Sequence, residues 1–302
     1  MLDYQALNAL AAILETGSFD AAAARLGVTP SAISQRIRHL EERVGAALIV
    51  RGTPCTATEQ GAALHRHVRE VAAMEQAMGA AVRPARDGPA LLRIAVNADS
   101  LPTWFMRGLA TLEGYRFDIV IDDQDHSADL LARGDVMAAV TAQSKPLRGC
   151  DVVALGALRY RATASPGFVA KWFPDGLTGP TLEQATMLTF STKDQLQHRW
   201  ATRMGAQREP PVMILPDTNA FVDAAIGGLA WGMNPEPLIH DAIADGRLVD
   251  LAPDHPMDTP LYWQWPRRLD AVMAPVTRAV RASAKAHLHP VSTAAVPVQK
   301  SR

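Results

Sequence analysis

The sequence predicts a multidomain α+β protein with a mostly helical N-terminal domain, a long linker helix and a larger α/β domain. Three observations support this division. Residues 1–80 contain no lysine and carry apolar residues at helical spacing. Residues 84–89 place two prolines and a glycine in a short stretch that cannot continue a helix. Beyond it, short apolar runs alternate with helical patterns, which is typical of a mostly parallel sheet covered by helices.

The N-terminal segment predicts three helices followed by a short two-stranded ribbon. The first helix ends at Gly17, and the second runs from Phe19 to Leu26 and stops at Gly27, which tolerates positive φ. Thr29-Pro30 opens the third helix, with threonine as N-cap and proline at the first helical position. The ribbon is expected over residues 48–56, where a short apolar run precedes a proline.

A long helix is predicted after Thr58. Its apolar stripe consists of Leu64, Val68, Val71, Met74 and Met78. This stripe suits a dimer contact, although it could equally be buried within one chain. After the 84–89 stretch, apolar runs predict strands at residues 91–96, 117–121, 136–140, 187–190 and 212–215.

The overall composition limits the class of protein. The 302 residues carry 30 basic and 31 acidic side chains, with a formal net charge of −1. The chain has no apolar run of membrane-spanning length, no secretory signal at its start, and only two cysteines. We therefore expect a cytoplasmic protein without a membrane partner, a metal site or a cofactor. The balanced charge disfavours general coating of nucleic acid but permits a local DNA-binding surface.

The second and third predicted helices form a helix-turn-helix candidate joined through residues 26–29. Such a motif places its second helix in the DNA major groove. Outward-facing residues there are Ser31, Ser34, Gln35, Arg36 and Arg38. Hydroxyl and amide groups can bind base edges or phosphates, and arginine can pair bidentately with guanine. The alternative is a solvated polar face on an ordinary helix pair. Residues 1–60 carry five arginines against six acids, so strong DNA binding would require dimerisation.

The segment Phe19–Glu41, together with Gly45, Leu48, Arg51 and Thr58–Gly61, resembles the N-terminal signature of LysR-type transcriptional regulators. The resemblance covers about the first 65 residues densely and implies a winged helix-turn-helix domain. The residues expected to contact DNA are Thr29, Ser31, Ser34, Gln35, Arg36, Arg38 and Arg51. The implied partners are double-stranded operator DNA, a small-molecule effector, RNA polymerase and further copies of the chain, as a homodimer or homotetramer.

The resemblance also implies an effector domain like a periplasmic binding protein, in which two α/β subdomains enclose a ligand cleft. The expected boundaries are 1–58 for the DNA-binding domain, 59–83 for the linker and dimerisation helix, 84–90 for a hinge, and 91–287 for the effector domain. Within the effector domain, subdomain 1 covers about 91–161 and 267–287, and subdomain 2 covers about 162–266. Residues 288–302 contain two prolines and no periodicity, which predicts a disordered tail.

The stretches Val96–Trp104 and Leu261–Trp263 resemble the arginine/lysine-export regulator branch of the family (ArgP/LysG-like). That branch implies a basic amino acid as effector and control of an amino-acid exporter gene. Lys193 places a positive charge where a cationic ligand would lie, and Trp231 is expected near the cleft rim. A regulator of another operon that senses a small carboxylate or neutral amino acid therefore stays open.

A basic amino acid requires a carboxylate clamp and acceptors for two cationic groups. Ser100, at a helix start after a strand, is predicted to bind the α-carboxylate, with Asp99 beside it. Asp122 and Asp123 follow the second strand and offer carboxylates to the ligand side chain. Other candidates at strand ends are Thr141, Phe190, Ser191, Asp217, Asn219 and Phe221. Simpler roles are open for several of them: Asp99 and Asp217 as helix caps, Asp122 and Asp123 as surface charge, and Phe221 as core.

An enzyme and a solute-binding protein are the main competing classes. The sequence contains no G-x-S-x-G elbow, phosphate-binding loop, H-E-x-x-H pair or G-x-G-x-x-G after a strand. We therefore expect no catalysis, and the N-terminal helix-turn-helix candidate disfavours a simple solute-binding protein.

Overall fold

The computed structural model describes residues 3–77, 90–121 and 127–291. Its N-terminal part, here called the head, contains three helices and a ribbon. They are α1 (Tyr4–Thr16), α2 (Phe19–Leu26), α3 (Pro30–Val44), β1 (Ile49–Val50) and β2 (Thr56–Ala57). The two strands pair antiparallel and form the wing. The predicted winged helix-turn-helix is therefore confirmed.

Local sequence signals fix the helix ends of the head. Side chains of Asp3, Ser18 and Thr29 accept hydrogen bonds from backbone N–H groups in the first turns of α1, α2 and α3. Each helix then ends at a glycine in the left-handed region. The apolar faces meet in one core, whose largest members are Leu7, Leu10, Ile13, Ile33, Ile37, Leu40 and Leu48.

Helix α4 (Glu59–Ala77) joins the head to the rest of the chain. Gly61 passes so close to the wing that a Cβ atom would lie 1.9 Å from the carbonyl oxygen of Leu48. Leu64 and Val68 pack against the head core, whereas Ala73 and Met74 belong to the core of the larger domain. Part of the apolar stripe on this helix, which the sequence offered as a dimer contact, is therefore packed within a single chain.

The larger domain alternates strands and helices along the chain. Its strands are β3 (Ala90–Val96), β4 (Tyr115–Ile121), β5 (Ala138–Thr141), β6 (Cys150–Ala164), β7 (Met187–Thr189), β8 (Val212–Ile214), β9 (Gly232–Pro235), β10 (Val249–Asp250) and β11 (Met257–Pro266). Its helices are α5 (Met106–Leu109), which continues a π-helical turn over Leu101–Phe105, α6 (Ser127–Arg133), α7 (Pro166–Trp172), α8 (Gly179–Leu182), α9 (Leu196–Arg203), α10 (Thr218–Ile226), α11 (Glu236–Ala244) and α12 (Asp270–His287).

Two long antiparallel strands, β6 and β11, lie at the centre of this domain and connect its two parts. Their register runs from Cys150 opposite Pro266 to Tyr160 opposite Met257. At one end β11 pairs with β5, and β3 lies parallel between β5 and β4; we call this part, with α5, α6 and α12, the first lobe. At the other end β6 pairs with β9 and β10; this part, with α7–α11 and the parallel pair β7–β8, is the second lobe.

The expectation of a mostly parallel sheet holds only for β3, β4 and β5, and for the small β7–β8 pair. The remaining pairings are antiparallel because β6 and β11 cross between the lobes in opposite directions. The five predicted strands are all present, with ends shifted by up to two residues.

The tail was expected to be disordered from Leu288, but its first residues have defined contacts. His289 exchanges two backbone hydrogen bonds with Ala157 at 2.8 and 3.0 Å. Its Nε2 also lies 2.7 Å from a carboxylate oxygen of Glu236. The ordered chain therefore continues past α12, and the rest of that prediction, residues 292–302, lies outside the described residues. Within the described ranges, no helix has the length and apolar character needed to cross a membrane.

A carboxylate ties the head to the linker helix. Glu15 on α1 pairs with Arg25 on α2 at 2.8 Å and lies 3.4 Å from the His65 ring on α4. The hydrogen bond from His65, helped by Arg25, lowers the pKa of Glu15 to about 2. A carboxyl group with a lowered pKa in the folded state stabilises that state when ionised.

We expect the head to lose this contribution as the pH falls from about 4.5 towards 2, because Glu15 is protonated more readily in the unfolded chain. Urea unfolding followed over this pH range should show a steeper loss of stability in the wild type than in Glu15→Gln. The control is Glu42→Gln, which changes an exposed carboxylate. Parallel pH profiles for wild type and Glu15→Gln would contradict the assignment.

Candidate functional site

The exposed face of α3 carries the residues predicted to read DNA. Ser31, Gln35 and Arg38 are exposed, and Ser34 is half-buried on the same helix. The opposite face supplies buried apolar residues to the head core. The polar face of α3 therefore points away from the head core, as a DNA-recognition helix requires.

Four of the predicted DNA-contacting residues also have contacts within the head, and the hydroxyls of two of them, Thr29 and Ser31, lie 3.0 Å apart. The Thr29 hydroxyl accepts from the Ala32 N–H at 3.2 Å and so caps α3. Arg36 donates to the side-chain oxygen of Gln5 at 3.4 Å. Arg51, which follows β1, places its guanidinium 5.3 Å from the centre of the Phe19 ring. Their role in DNA binding stays a prediction.

A cavity of about 530 Å³ opens between the two lobes. Residues from the strand ends and crossovers of both lobes line it; they include Asn97, Ala98, Asp99, Ile121, Tyr160, Phe190, Ser191, Lys193, Asp194, Gln197, Arg199, Thr218, Phe221, Met233, Pro235 and Thr259. We call this cavity the cleft. Its position at the carboxyl ends of β3 and β4 is where open α/β sheets bind ligands.

The carboxylate of Asp99 joins three parts of the cleft wall. Tyr160, on β6, donates its hydroxyl to one oxygen at 2.7 Å, and Thr218, the first residue of α10, donates to the other at 2.8 Å. Both donors are buried. A carboxylate offers about four acceptor positions, so these two donors do not by themselves saturate Asp99.

The other charged residues of the cleft differ in their availability. Asp194 uses its oxygens to accept from the N–H groups of Phe190 and Leu196, each at 3.0 Å, and so holds its own loop. Lys193 and Arg199 are exposed and come from the second lobe. The cleft therefore presents a carboxylate on one wall and two cations at its mouth, an arrangement that suits a zwitterion.

Four of the predicted effector residues line the cleft: Asp99, Phe190, Ser191 and Phe221. Four others do not line it: Ser100, Thr141, Asp217 and Asn219. Asp122 and Asp123 lie outside the described residues; Ile121, which directly precedes them, lines the cleft.

The four residues away from the cleft have other environments. Ser100 is fully buried, and its hydroxyl has no hydrogen-bond partner among the described residues. Thr141 is buried and accepts from the Gln264 amide at 3.2 Å. Asp217 accepts from the Ala220 N–H at 2.8 Å as the N-cap of α10, the simpler role considered for it, and Asn219 is exposed beside it.

Trp231 was expected near the cleft rim, but the structure buries it completely. Its ring lies 5.2 Å from that of Trp200, which is also fully buried. Lys193 does line the cleft, as expected.

Sequence reasoning missed several cleft residues, above all Asn97, Tyr160, Gln197, Arg199 and Thr218. Asn97 could have been predicted, because it directly follows a predicted strand. Tyr160 reaches the cleft only through the crossover of β6, and Gln197 through the start of α9, which no local pattern places beside the first lobe.

A winged helix-turn-helix head joined to a two-lobed domain with a polar cleft defines a ligand-responsive DNA-binding protein. Comparison with known proteins identifies its family. Residues 4–62 match the family described as bacterial regulatory helix-turn-helix protein, lysR family, and residues 85–288 match the LysR substrate binding domain. The chain therefore belongs to the LysR family of transcriptional regulators.

Similar proteins share both domains. The HTH-type transcriptional regulator LysG of Mycobacterium tuberculosis is 44% identical over 287 residues, or 94% of each chain. The crystal structure of ArgP from Mycobacterium tuberculosis superposes with a TM-score of 0.80 at 41% identity, covering 96% of this chain and 100% of the other. Full-length LysG from Corynebacterium glutamicum with bound effector Arg gives a TM-score of 0.67 at 35% identity, with coverage of 96% and 100%.

We expect Arg38→Ala to weaken binding to a DNA duplex selected in vitro with the wild-type chain by about tenfold or more, because an exposed arginine on the reading helix is lost. Fluorescence anisotropy measures the affinity, and effector binding should be unchanged. Arg247→Ala, which removes an exposed arginine of the second lobe, serves as control. Equal DNA affinity in both variants would remove Arg38 from the binding surface.

Proposed function

We propose that this regulator binds lysine or arginine in the cleft and that occupancy changes how its heads engage operator DNA. The observation that carries the proposal is the Asp99 carboxylate, which lines the cleft and is oriented by two hydroxyl donors. A fixed carboxylate in a partly enclosed site favours a cationic ligand group. The bound Arg in the LysG structure from Corynebacterium glutamicum supports the same ligand class.

The ligand's α-carboxylate requires a cationic or N–H partner. The sequence suggested Ser100, but this residue is buried behind the wall and does not line the cleft. We therefore assign the α-carboxylate to Lys193 and Arg199 at the mouth. In this orientation the ligand side chain points inward to Asp99.

Helix α4 contacts both the effector domain and the head, and so connects them. Its Arg69 lies 3.6 Å from Asp118 on β4, and its Glu70 accepts from Arg268 at 3.0 Å. The same helix packs on the head core through Leu64 and Val68. A movement of the first lobe would thus be passed to the head. The ligand can drive that movement only if it binds one arrangement of the lobes more tightly than the other.

We further propose the biological setting that the family resemblance implies. The protein acts as a homodimer or homotetramer in the cytoplasm, works with RNA polymerase, and controls an amino-acid exporter gene without catalysing a reaction. Two heads presented together would compensate for the balanced charge of each one.

A second candidate effector is a small carboxylate without a cationic side chain. Lys193 and Arg199 favour it, because both are exposed cations that line the cleft. Such a ligand brings no cationic group to the Asp99 side of the cleft, so we place it second.

Isothermal titration of the full chain with L-arginine, L-lysine, L-norleucine and L-glutamate tests the proposal. We expect saturable binding of arginine or lysine only, and Asp99→Asn should weaken it by about 10- to 100-fold, as for a hydrogen bond to a charged group. Asp175→Asn, a change to an exposed aspartate away from the cleft, should bind normally. Binding of glutamate alone would favour the second candidate, and unchanged affinity in Asp99→Asn would refute the role of that residue.

A further inference from the structure

Two buried amide side chains, one from each lobe, line the cleft and have unsatisfied oxygens among the described residues. Asn97, at the end of β3 in the first lobe, is 3% exposed, and Gln197, in the first turn of α9 in the second lobe, is 2% exposed. Both line the cleft. Among the residues that the structure describes, neither Asn97 Oδ1 nor Gln197 Oε1 finds a hydrogen-bond partner.

An unpartnered buried acceptor in the wall of a cavity indicates what the cavity receives. Buried polar atoms in folded proteins are nearly always hydrogen-bonded, since water is no longer available to them. Both unsatisfied atoms are acceptor oxygens of residues that line the cleft, so a ligand in the cleft can supply the N–H or O–H donor that each one lacks. One donor is needed at the first-lobe wall and another at the second-lobe wall.

The neighbours of each amide indicate which donor it receives. Gln197 and Arg199 both come from α9 in the second lobe and both line the cleft, in the part of its wall that we assign to the α-carboxylate. The α-ammonium and α-carboxylate groups of an amino acid share one carbon atom, so the α-ammonium group lies within reach of the same wall. Asn97 lies two residues before Asp99, the carboxylate assigned to the ligand's side-chain cation.

We propose that Gln197 accepts a hydrogen bond from the α-ammonium group of a basic amino acid, and that Asn97, with Asp99, accepts from its side-chain ammonium or guanidinium group. This inference rests on the proposed function, because it takes a basic amino acid as the effector. The two amides thereby make the cleft selective for a ligand with N–H donors at both ends. A neutral amino acid of the same length leaves Asn97 without a donor.

Pairing a protein variant with a ligand that lacks one donor tests the α-ammonium assignment. The probes are L-arginine and 5-guanidinopentanoic acid, which is arginine without its α-amino group, titrated calorimetrically into the full chain. In Gln197→Met, which keeps the side-chain length but removes the acceptor, we expect arginine affinity to fall by about 10- to 100-fold. The affinity for 5-guanidinopentanoic acid should stay the same.

Gln197→Glu should restore arginine binding to at least the wild-type level, because a carboxylate is a stronger acceptor for an ammonium group. Gln184→Met, which changes an exposed glutamine outside the cleft, is the matched control and should bind both ligands normally.

Two variants of Asn97 test its assignment to the side-chain cation. Asn97→Asp should keep arginine binding, whereas Asn97→Leu should reduce the preference for L-lysine over L-norleucine. Circular dichroism checks that each variant is folded.

The outcomes separate this inference from the proposed function. If the wild-type chain binds neither arginine nor lysine, the proposed function fails. If the wild type binds arginine but Gln197→Met weakens both ligands equally, or neither, the assignment of Gln197 is wrong while the proposed function stands. An unchanged lysine-to-norleucine preference in folded Asn97→Leu would likewise overturn the assignment of Asn97.

Discussion

The effector domain depends on the hydrogen bonds that Asp99 receives from Tyr160 and Thr218. Hydroxyl donors to an ionised carboxylate form short, strong hydrogen bonds, and these two come from the crossover strand and from the second lobe. Asp99 itself belongs to the first lobe. A single side chain therefore joins the two lobes at the site where the ligand is proposed to bind, so a ligand that contacts Asp99 acts directly on the arrangement of the lobes.

The crossover strands and helix α4 extend this arrangement through the molecule. Strands β6 and β11 run from one lobe to the other as an antiparallel pair, with one shift of register between Leu261 and Tyr262, so this pair of strands connects the lobes. On the far side of the first lobe, α4 is attached through ion pairs to Asp118 and Arg268 and through the burial of Ala73. The head is attached to the same helix through Glu15 and its apolar core. Lobe, linker helix and head thus form a chain of packed contacts.

The sequence predicted features that local chemistry determines. The cap at Thr29 and the helix ends at Gly17 and Gly27 depend on nearby residues only, and all were confirmed. In the cleft, Phe190 and Ser191 were predicted because they end or directly follow a predicted strand, and Asp99 because it lies between a predicted strand and the following helix start. The N-cap role of Asp217 was also recognisable as an alternative, since an aspartate before a helix commonly caps it.

Features that depend on distant pairing were not predicted. Tyr160 reaches Asp99 only because β6 crosses between the lobes, and the sequence patterns gave no signal for so long a strand. The antiparallel character of most of the sheet was missed for the same reason. Ser100 was chosen from its place at a helix start, but the chain turns there into a π-helical segment and buries the hydroxyl. Gln197 was not predicted because a polar residue in the first turn of a helix carries no sequence signal for a ligand contact.

The distance between the lobes in solution tests the central claim most directly. Spin labels at Glu113→Cys in the first lobe and Glu209→Cys in the second would report it by double electron–electron resonance, because the native Cys55 and Cys150 are buried. Saturating L-arginine should shift and narrow the distance distribution, and Thr218→Val, which removes one hydroxyl from Asp99, should reduce that response. The same distribution with and without arginine would contradict the coupling of ligand to lobe arrangement through Asp99.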